Sequence, residues 1–258
     1  MNVHANGINF NCRVDGPEDA PWVIFSNSLA TNISMWDDQA LELSSTFRVL
    51  RYDQRGHGGT DAPQGAYHFT TLAADVIALM DALDITRADF CGLSMGGITG
   101  QALAQTYPDR FRRFVLCDCP AASTPASAQQ WSERIQLAKD KGMEALVDIT
   151  AERWFPPEVV AANPPGYGKV RQMIRTTPVN GFIGCALALS DFDFKAGLGN
   201  IKAPVLLIAG TKDAAYPGVK FLSGAIPGAR MVEIEGAGHI SNIEQPQAFS
   251  GALTAFLG

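Results

Sequence analysis

The stretch Phe90-Cys91-Gly92-Leu93-Ser94-Met95-Gly96-Gly97 constrains this chain more than any other. It holds the pattern Gly-x-Ser-x-Gly with Ser94 at its centre. An apolar β-type run, Ala88 to Cys91, leads in, and a small-residue helical run, Gly97 to Tyr107, leads out. The pattern alone also occurs in glycine-rich loops that do no chemistry. Between a strand and a helix it reads as a nucleophile elbow. There the serine takes a strained backbone conformation so that its hydroxyl stands clear. Gly92 and Gly96 flank it where side chains would strike the neighbouring strand and helix. The helix that follows starts at the serine, so its free N–H groups face any negative charge that develops there.

The rest of the chain supplies a sheet for that turn. Ile8, Phe10, Cys12 and Val14 alternate up to Asp15-Gly16-Pro17, which predicts an antiparallel edge hairpin. Trp22–Ser26 and Phe47–Tyr52 are short apolar strands, the second followed by the glycine-rich loop from Asp53 to Thr60. A helix is expected from about Trp36 to Leu43. Another is expected over 70–84, with Leu72, Val76, Leu79, Met80 and Leu83 inward and Asp75 and Asp81 outward. After the elbow and its helix comes a strand from Phe111 to Asp118. The alternation then stops. Residues 120–196 read as helices broken by Pro156-Pro157, Asn163-Pro164-Pro165-Gly166 and Thr177-Pro178. It resumes with a strand at Pro204–Gly210, a helix near Gly218–Ala225, a strand at Ala229–Ile234 and a last helix at Gln247–Leu257. This order predicts an α/β fold with a mostly parallel, doubly wound sheet. Residues 1–119 and 197–258 would form the core, and 120–196 a helical cap over the carboxyl ends of the strands, where ligands bind.

Composition narrows the function. At 258 residues, 47% hydrophobic and 18% charged, the chain suits one folded enzyme-sized unit. A formal net charge of −6 gives no general attraction to nucleic acid, and no run is long enough to span a membrane. The N-terminus lacks a basic and apolar leader, so the cytoplasm is the expected location. The five cysteines, Cys12, Cys91, Cys117, Cys119 and Cys185, read as reduced core residues, and Cys117-Asp118-Cys119 has no partner pair that would make a metal site.

A serine hydroxyl needs a positioned base. In folds built around such an elbow the order along the chain is serine, acid, histidine. Among His4, His57, His68 and His239, only His239 in Gly236-Ala237-Gly238-His239 satisfies it. The acid that holds the imidazole is Asp213, three residues beyond Gly210, with Asp118 as the alternative at the end of the preceding strand. Two N–H donors must meet the developing oxyanion. The backbone of Met95 is one, and that of Leu29, in the loop after Trp22–Ser26, the other. Asp53 and Arg55 read as loop scaffolding.

Over its full length the chain resembles α/β-hydrolase-fold proteins, and more narrowly the 3-oxoadipate enol-lactonases. The matching stretches are Ser26-Asn-Ser-Leu-Ala-Thr31 with Met35-Trp36, Phe47 to Gly58, Phe90 to Gly97, Glu152-Arg-Trp-Phe155 and Gly238 to Pro246. Ser-Asn-Ser-Leu replaces the His-Gly of most relatives. Two departures stand out: Ala30 where the family commonly has glycine, and Asp213-Ala-Ala-Tyr-Pro217 where a proline often comes sooner. The resemblance implies Ser94, Asp213 and His239 as triad, Leu29 and Met95 as oxyanion donors, no cofactor, and a small lactone bearing a carboxylate as substrate. That carboxylate needs a partner in a partly dry pocket. Arg134 beside Trp131 and Arg153 beside Trp154 are the candidates, with Ser28 also expected at the pocket. A general carboxylesterase, a C–C hydrolase, a perhydrolase and a slow ligand sensor on the same scaffold are the alternatives. Haloalkane dehalogenases and epoxide hydrolases would carry Asp where this chain has Ser94.

Overall fold

The computed structural model describes all 258 residues. Eight strands form one sheet: β1 (Asn2–Ala5), β2 (Ile8–Asp15), β3 (Trp22–Ser26), β4 (Arg48–Tyr52), β5 (Ala88–Leu93), β6 (Phe111–Cys117), β7 (Val205–Gly210) and β8 (Arg230–Ile234). Their order across the sheet is β1-β2-β4-β3-β5-β6-β7-β8. The first two strands run antiparallel to their neighbours and the others parallel, so the expected edge hairpin stands beside a parallel core. All residues of β5 and β7 are buried, so neither strand alternates; the one charged residue among them, Asp89 of β5, is paired with Arg112 and Arg113.

Helices α1 (Asp37–Leu43), α2 (Phe69–Ala82), α3 (Met95–Thr106), α9 (Tyr216–Ala225), α10 (Ser241–Glu244) and α11 (Pro246–Leu257) belong to the alternating part. Trp36 is fully buried, stacked on Phe25 of β3 at 4.7 Å and against Phe249 of α11 at 6.1 Å, and so clamps the first and last crossovers to one another. Between β6 and β7 the chain forms α4 (Pro125–Lys141), α5 (Val147–Trp154), α6 (Pro157–Ala162), α7 (Pro165–Thr176) and α8 (Val179–Ser190) and no strand. Thr124 starts α4 with a capping box, its hydroxyl accepting the Ser127 N–H. Gly181 of α8 meets Gly56 so closely that a methyl group on Gly181 would fall 1.9 Å from the Gly56 carbonyl oxygen. This backbone contact seats the helical stretch on the loop after β4.

One expectation fails. Asp75 does not face solvent; it is buried on α2. Its carboxylate takes two bonds from Arg55, at 2.8 and 2.5 Å, and a third from Asn6. The helical period assigns Asp75 to the polar face, but the loop after β4 folds over that face and brings a guanidinium to it. Asp75→Ala would strand the Arg55 charge in the interior. A loss of stability on the order of 3 kcal/mol is expected, read as a lower urea midpoint at unchanged m-value; a loss under about 1 kcal/mol would show that the pair is not needed.

Candidate active site

The site assembles from four loops at the carboxyl ends of β3, β5, β7 and β8. Ser94 sits between β5 and α3 with φ +56° and ψ −114°, a left-handed conformation that a non-glycine residue adopts only under constraint. The constraint is visible. A Cβ on Gly92 would fall 2.2 Å from the Gly96 carbonyl oxygen, and one on Gly96 would fall 2.1 Å from that of Ser26. The Ser94 N–H is fixed on the Cys117 carbonyl at 2.8 Å.

His239 lies in the loop after β8, and its Nε2 is 2.8 Å from the Ser94 hydroxyl oxygen. Its Nδ1 is 2.9 Å from Oδ2 of Asp213, in the loop after β7. With the Nδ1 proton donated to Asp213, Nε2 is left to accept from the serine hydroxyl. Burial raises the Asp213 carboxyl, but His239 and the Ala215 N–H outweigh it and hold it below the usual carboxylate range. The His239 ring is tilted against Trp154 at 5.6 Å, and the His239 backbone N–H donates to the Trp154 carbonyl at 2.7 Å, so α5 helps to seat it. Asp118, the alternative acid, makes no bond to the imidazole.

The N–H groups of Leu29 and Met95 have no acceptor within the protein, although both residues are buried. Two unfilled donors, one at the start of a 12-residue helix, make a place for an anionic oxygen. The loop bearing Leu29 is tightly held. Asn27 accepts the Gly96 N–H at 3.0 Å on its carbonyl and the Trp36 indole N–H at 3.1 Å on its side chain. Ala30 is left-handed at φ +55°, a conformation that favours glycine. Its N–H donates to Nε2 of His57 at 2.9 Å, while His57 Nδ1 lies 3.1 Å from the Arg55 carbonyl. Burial lowers the His57 pKa, which keeps the ring neutral and able to accept from Ala30. The sequence passed over His57 because it is out of order for the base; its place in Asp-Gln-Arg-Gly-His-Gly was the available signal.

A cavity of about 350 Å³ opens over these atoms. Ser94, His239, Asp213, Leu29, Trp131, Arg134, Arg153 and Trp154 all line it. Ser28 does not: it is buried, and its N–H points to the Met35 sulfur at 3.4 Å. The left-handed turn at Ala30 presents Leu29 to the cavity and turns Ser28 inward. The guanidinium of Arg134 lies 5.0 Å over the Trp131 ring. Burial and the nearby Arg153 charge push its pKa down to about 10, so it stays cationic at neutral pH. Arg153 bonds only Gln130, at 2.8 Å, and neither arginine has a carboxylate partner. A larger cleft of about 640 Å³, lined by Arg87, Asp109, Arg112 and Lys202, lies at the amino ends of β6 and β7, at the opposite end of the strands from Ser94, and holds no serine, cysteine or histidine.

The chain belongs to the α/β hydrolase fold family, whose family model matches residues 21–246. It is 38% identical to 3-oxoadipate enol-lactonase 2 of Acinetobacter baylyi over 98% of this chain and 94% of that one. It is 33% identical to 3-oxoadipate enol-lactonase 1 of the same organism over 100% of this chain and 96% of that one. The crystal structure of the enol-lactonase from Burkholderia xenovorans LB400 superposes with a TM-score of 0.95 at 42% identity, covering 100% of this chain and 99% of that one. Within the family the chain groups with the 3-oxoadipate enol-lactonases and is a hydrolase of carboxylic ester bonds.

Glu244 adds a pH dependence that the sequence did not signal. Its Oε1 accepts the Gly238 N–H at 3.0 Å, next to His239 in the chain. Burial raises its pKa to about 7. A carboxyl raised on folding favours the native state while protonated, so its contribution is full below the ordinary glutamate range and is lost as pH rises through about 7. Between pH 5 and 8 the stability should fall by an amount on the order of 2 kcal/mol, and Glu244→Gln should flatten that slope. Urea melts of both proteins across this range check it; equal slopes would contradict it.

Proposed function

We propose that this hydrolase opens a small lactone bearing a free carboxylate, 3-oxoadipate enol-lactone fitting best, by nucleophilic catalysis at Ser94. One observation carries the reading: a serine hydroxyl bonded to an imidazole, on the floor of a cavity whose walls hold arginines without acidic partners. The names of the similar enol-lactonases point the same way.

In this mechanism His239 Nε2 takes the hydroxyl proton as Ser94 Oγ attacks the ring carbonyl carbon. The carbonyl oxygen becomes an oxyanion held by the Leu29 and Met95 N–H groups, and Asp213 offsets the imidazolium charge. Collapse breaks the ring C–O bond and expels the enolate; the proton that His239 took from Ser94 passes to it, its carbon ends protonated as the ketone, and the imidazole is neutral again. Water then attacks the acyl carbon, losing a proton to His239, and the tetrahedral adduct returns the serine and frees a dicarboxylate. Release of an enolate that becomes a ketone makes ring opening effectively irreversible.

In this reading residues 120–196 act as a cap, with Trp131, Arg134 and Trp154 shaping the pocket from above and Arg134 pairing the substrate carboxylate. The five cysteines are all buried and free, which supports work in a reducing compartment such as the cytoplasm. An isolated arginine over an indole ring would have little reason to be held in a half-dry cavity unless an anion came to it.

Ser94→Ala should lower kcat on the enol-lactone by about 10⁴-fold or more, and a loss under about tenfold would be incompatible with covalent catalysis there. Arg134→Met should raise KM for the enol-lactone by roughly 10- to 100-fold while changing kcat/KM for a neutral aryl ester by less than about threefold. Equal effects on both substrates would remove Arg134 from carboxylate recognition. No turnover of the enol-lactone beside fast turnover of aryl esters would make the protein a general carboxylesterase.

A further inference from the structure

Asp118 follows β6 directly, with its backbone left-handed at φ +49° and its side chain fully buried. The steps above give it no part. Its Oδ1 accepts the Gly210 N–H at 2.8 Å, and its Oδ2 accepts the Ser241 hydroxyl at 2.7 Å. Gly210 ends β7, and its carbonyl takes the Asp213 N–H at 3.1 Å. Ser241 stands two residues after His239. One side chain therefore spans from the loop of the acid to the loop of the base. Its own backbone is fixed as well: the Asp118 N–H bonds the Ile208 carbonyl at 2.9 Å, and the residue before it holds the Ser94 N–H.

We propose that Asp118 is a positioning residue for the triad, its carboxyl group holding the Asp213 and His239 loops in register and backing the Asp213 carboxylate. Two neighbouring carboxyl groups shut off from water do not both ionise. Burial and the adjacent Asp213 push Asp118 well up, while Asp213 is held low. The pair then carries one charge, with the proton on Asp118 and the negative charge beside His239. The groups that face Asp118 are Asp213 with His239 beyond it, the Ser241 hydroxyl, and Cys117 and Cys119 on its own segment; Glu244 lies within electrostatic reach of Asp213 and His239.

This inference rests on the triad reading, which Ser94→Ala tests by itself. Asp118→Ala should lower kcat about thirtyfold with KM within about threefold, because the substrate pocket is untouched. Asp118→Asn keeps the shape and stays neutral; its oxygen can accept the Gly210 N–H while its NH2 group donates to Asp213 and to a Ser241 hydroxyl turned to accept, so it should restore kcat to within about threefold of wild type. The acid limb of its kcat/KM profile should stay within about 0.3 pH unit of wild type. An NMR titration of the His239 ring in the resting protein makes the same comparison without turnover. A midpoint moved by about one unit in Asp118→Asn would mean that Asp118 is charged. That result, or an Asn variant as slow as the Ala variant, or an Ala variant at wild-type kcat, overturns the proposal. Should Asp118→Ala fail to fold, Ser241→Ala, which removes one anchor, should still lower kcat about fivefold at unchanged KM, and an unchanged kcat there overturns it equally.

Discussion

The site depends on a backbone turn that no ordinary residue takes unforced. Ser94 is left-handed, a state that costs roughly 1–3 kcal/mol, and it is held there by a strand on one side and a helix on the other. Gly92 and Gly96 have to be bare for β5 and α3 to approach each other and the end of β3. The bond from the Ser94 N–H to β6 completes the clamp. What results is a hydroxyl raised above the sheet at a helix N-terminus, with the neighbouring N–H of Met95 unspent. The other groups come to that hydroxyl: the imidazole from the loop after β8, the carboxylate from the loop after β7, the second N–H donor from the loop after β3.

Holding four loops to within hydrogen-bonding distance of one another takes more than a sheet. Beneath the site lies a shell of buried and half-buried groups that hydrogen-bond the loops. His57 supports Ala30, Asn27 supports Gly96, Glu244 supports Gly238, and Asp118 spans Gly210 and Ser241. These bonds mostly run from a side chain to a backbone N–H, so they fix the course of the loops more than their chemistry. Above the site, Trp154 lies on the His239 ring, and its carbonyl takes the His239 N–H. The helical stretch and the core are thereby joined at His239 itself.

Much of this was legible in the sequence, for reasons of range. The elbow is a local pattern of glycines between a strand and a helix, and Ser94 follows from it. Asp213 and His239 follow from chain order and from the strands that end before them. The run of helices between β6 and β7 shows as a loss of alternation. What stayed hidden depends on partners far apart along the chain. Asp75 sits on the polar face by helical period, and only a guanidinium 20 residues away accounts for its burial. His57 meets Ala30 across 27 residues, and Asp118 meets Gly210 and Ser241 across 92 and 123. Ser28 was misplaced because one left-handed residue, Ala30, decides which neighbour faces the cavity, and an alanine does not announce that conformation.

The central claim is that the imidazole makes the Ser94 hydroxyl reactive across a 2.8 Å contact. The most direct test is to expose the resting protein to a fluorophosphonate and map the adduct by mass spectrometry, in the wild type and in His239→Ala. One adduct, on Ser94, is predicted in the wild type, forming about 10³-fold more slowly without the imidazole. Labelling at another residue, or labelling of Ser94 at the same rate in both proteins, would contradict it.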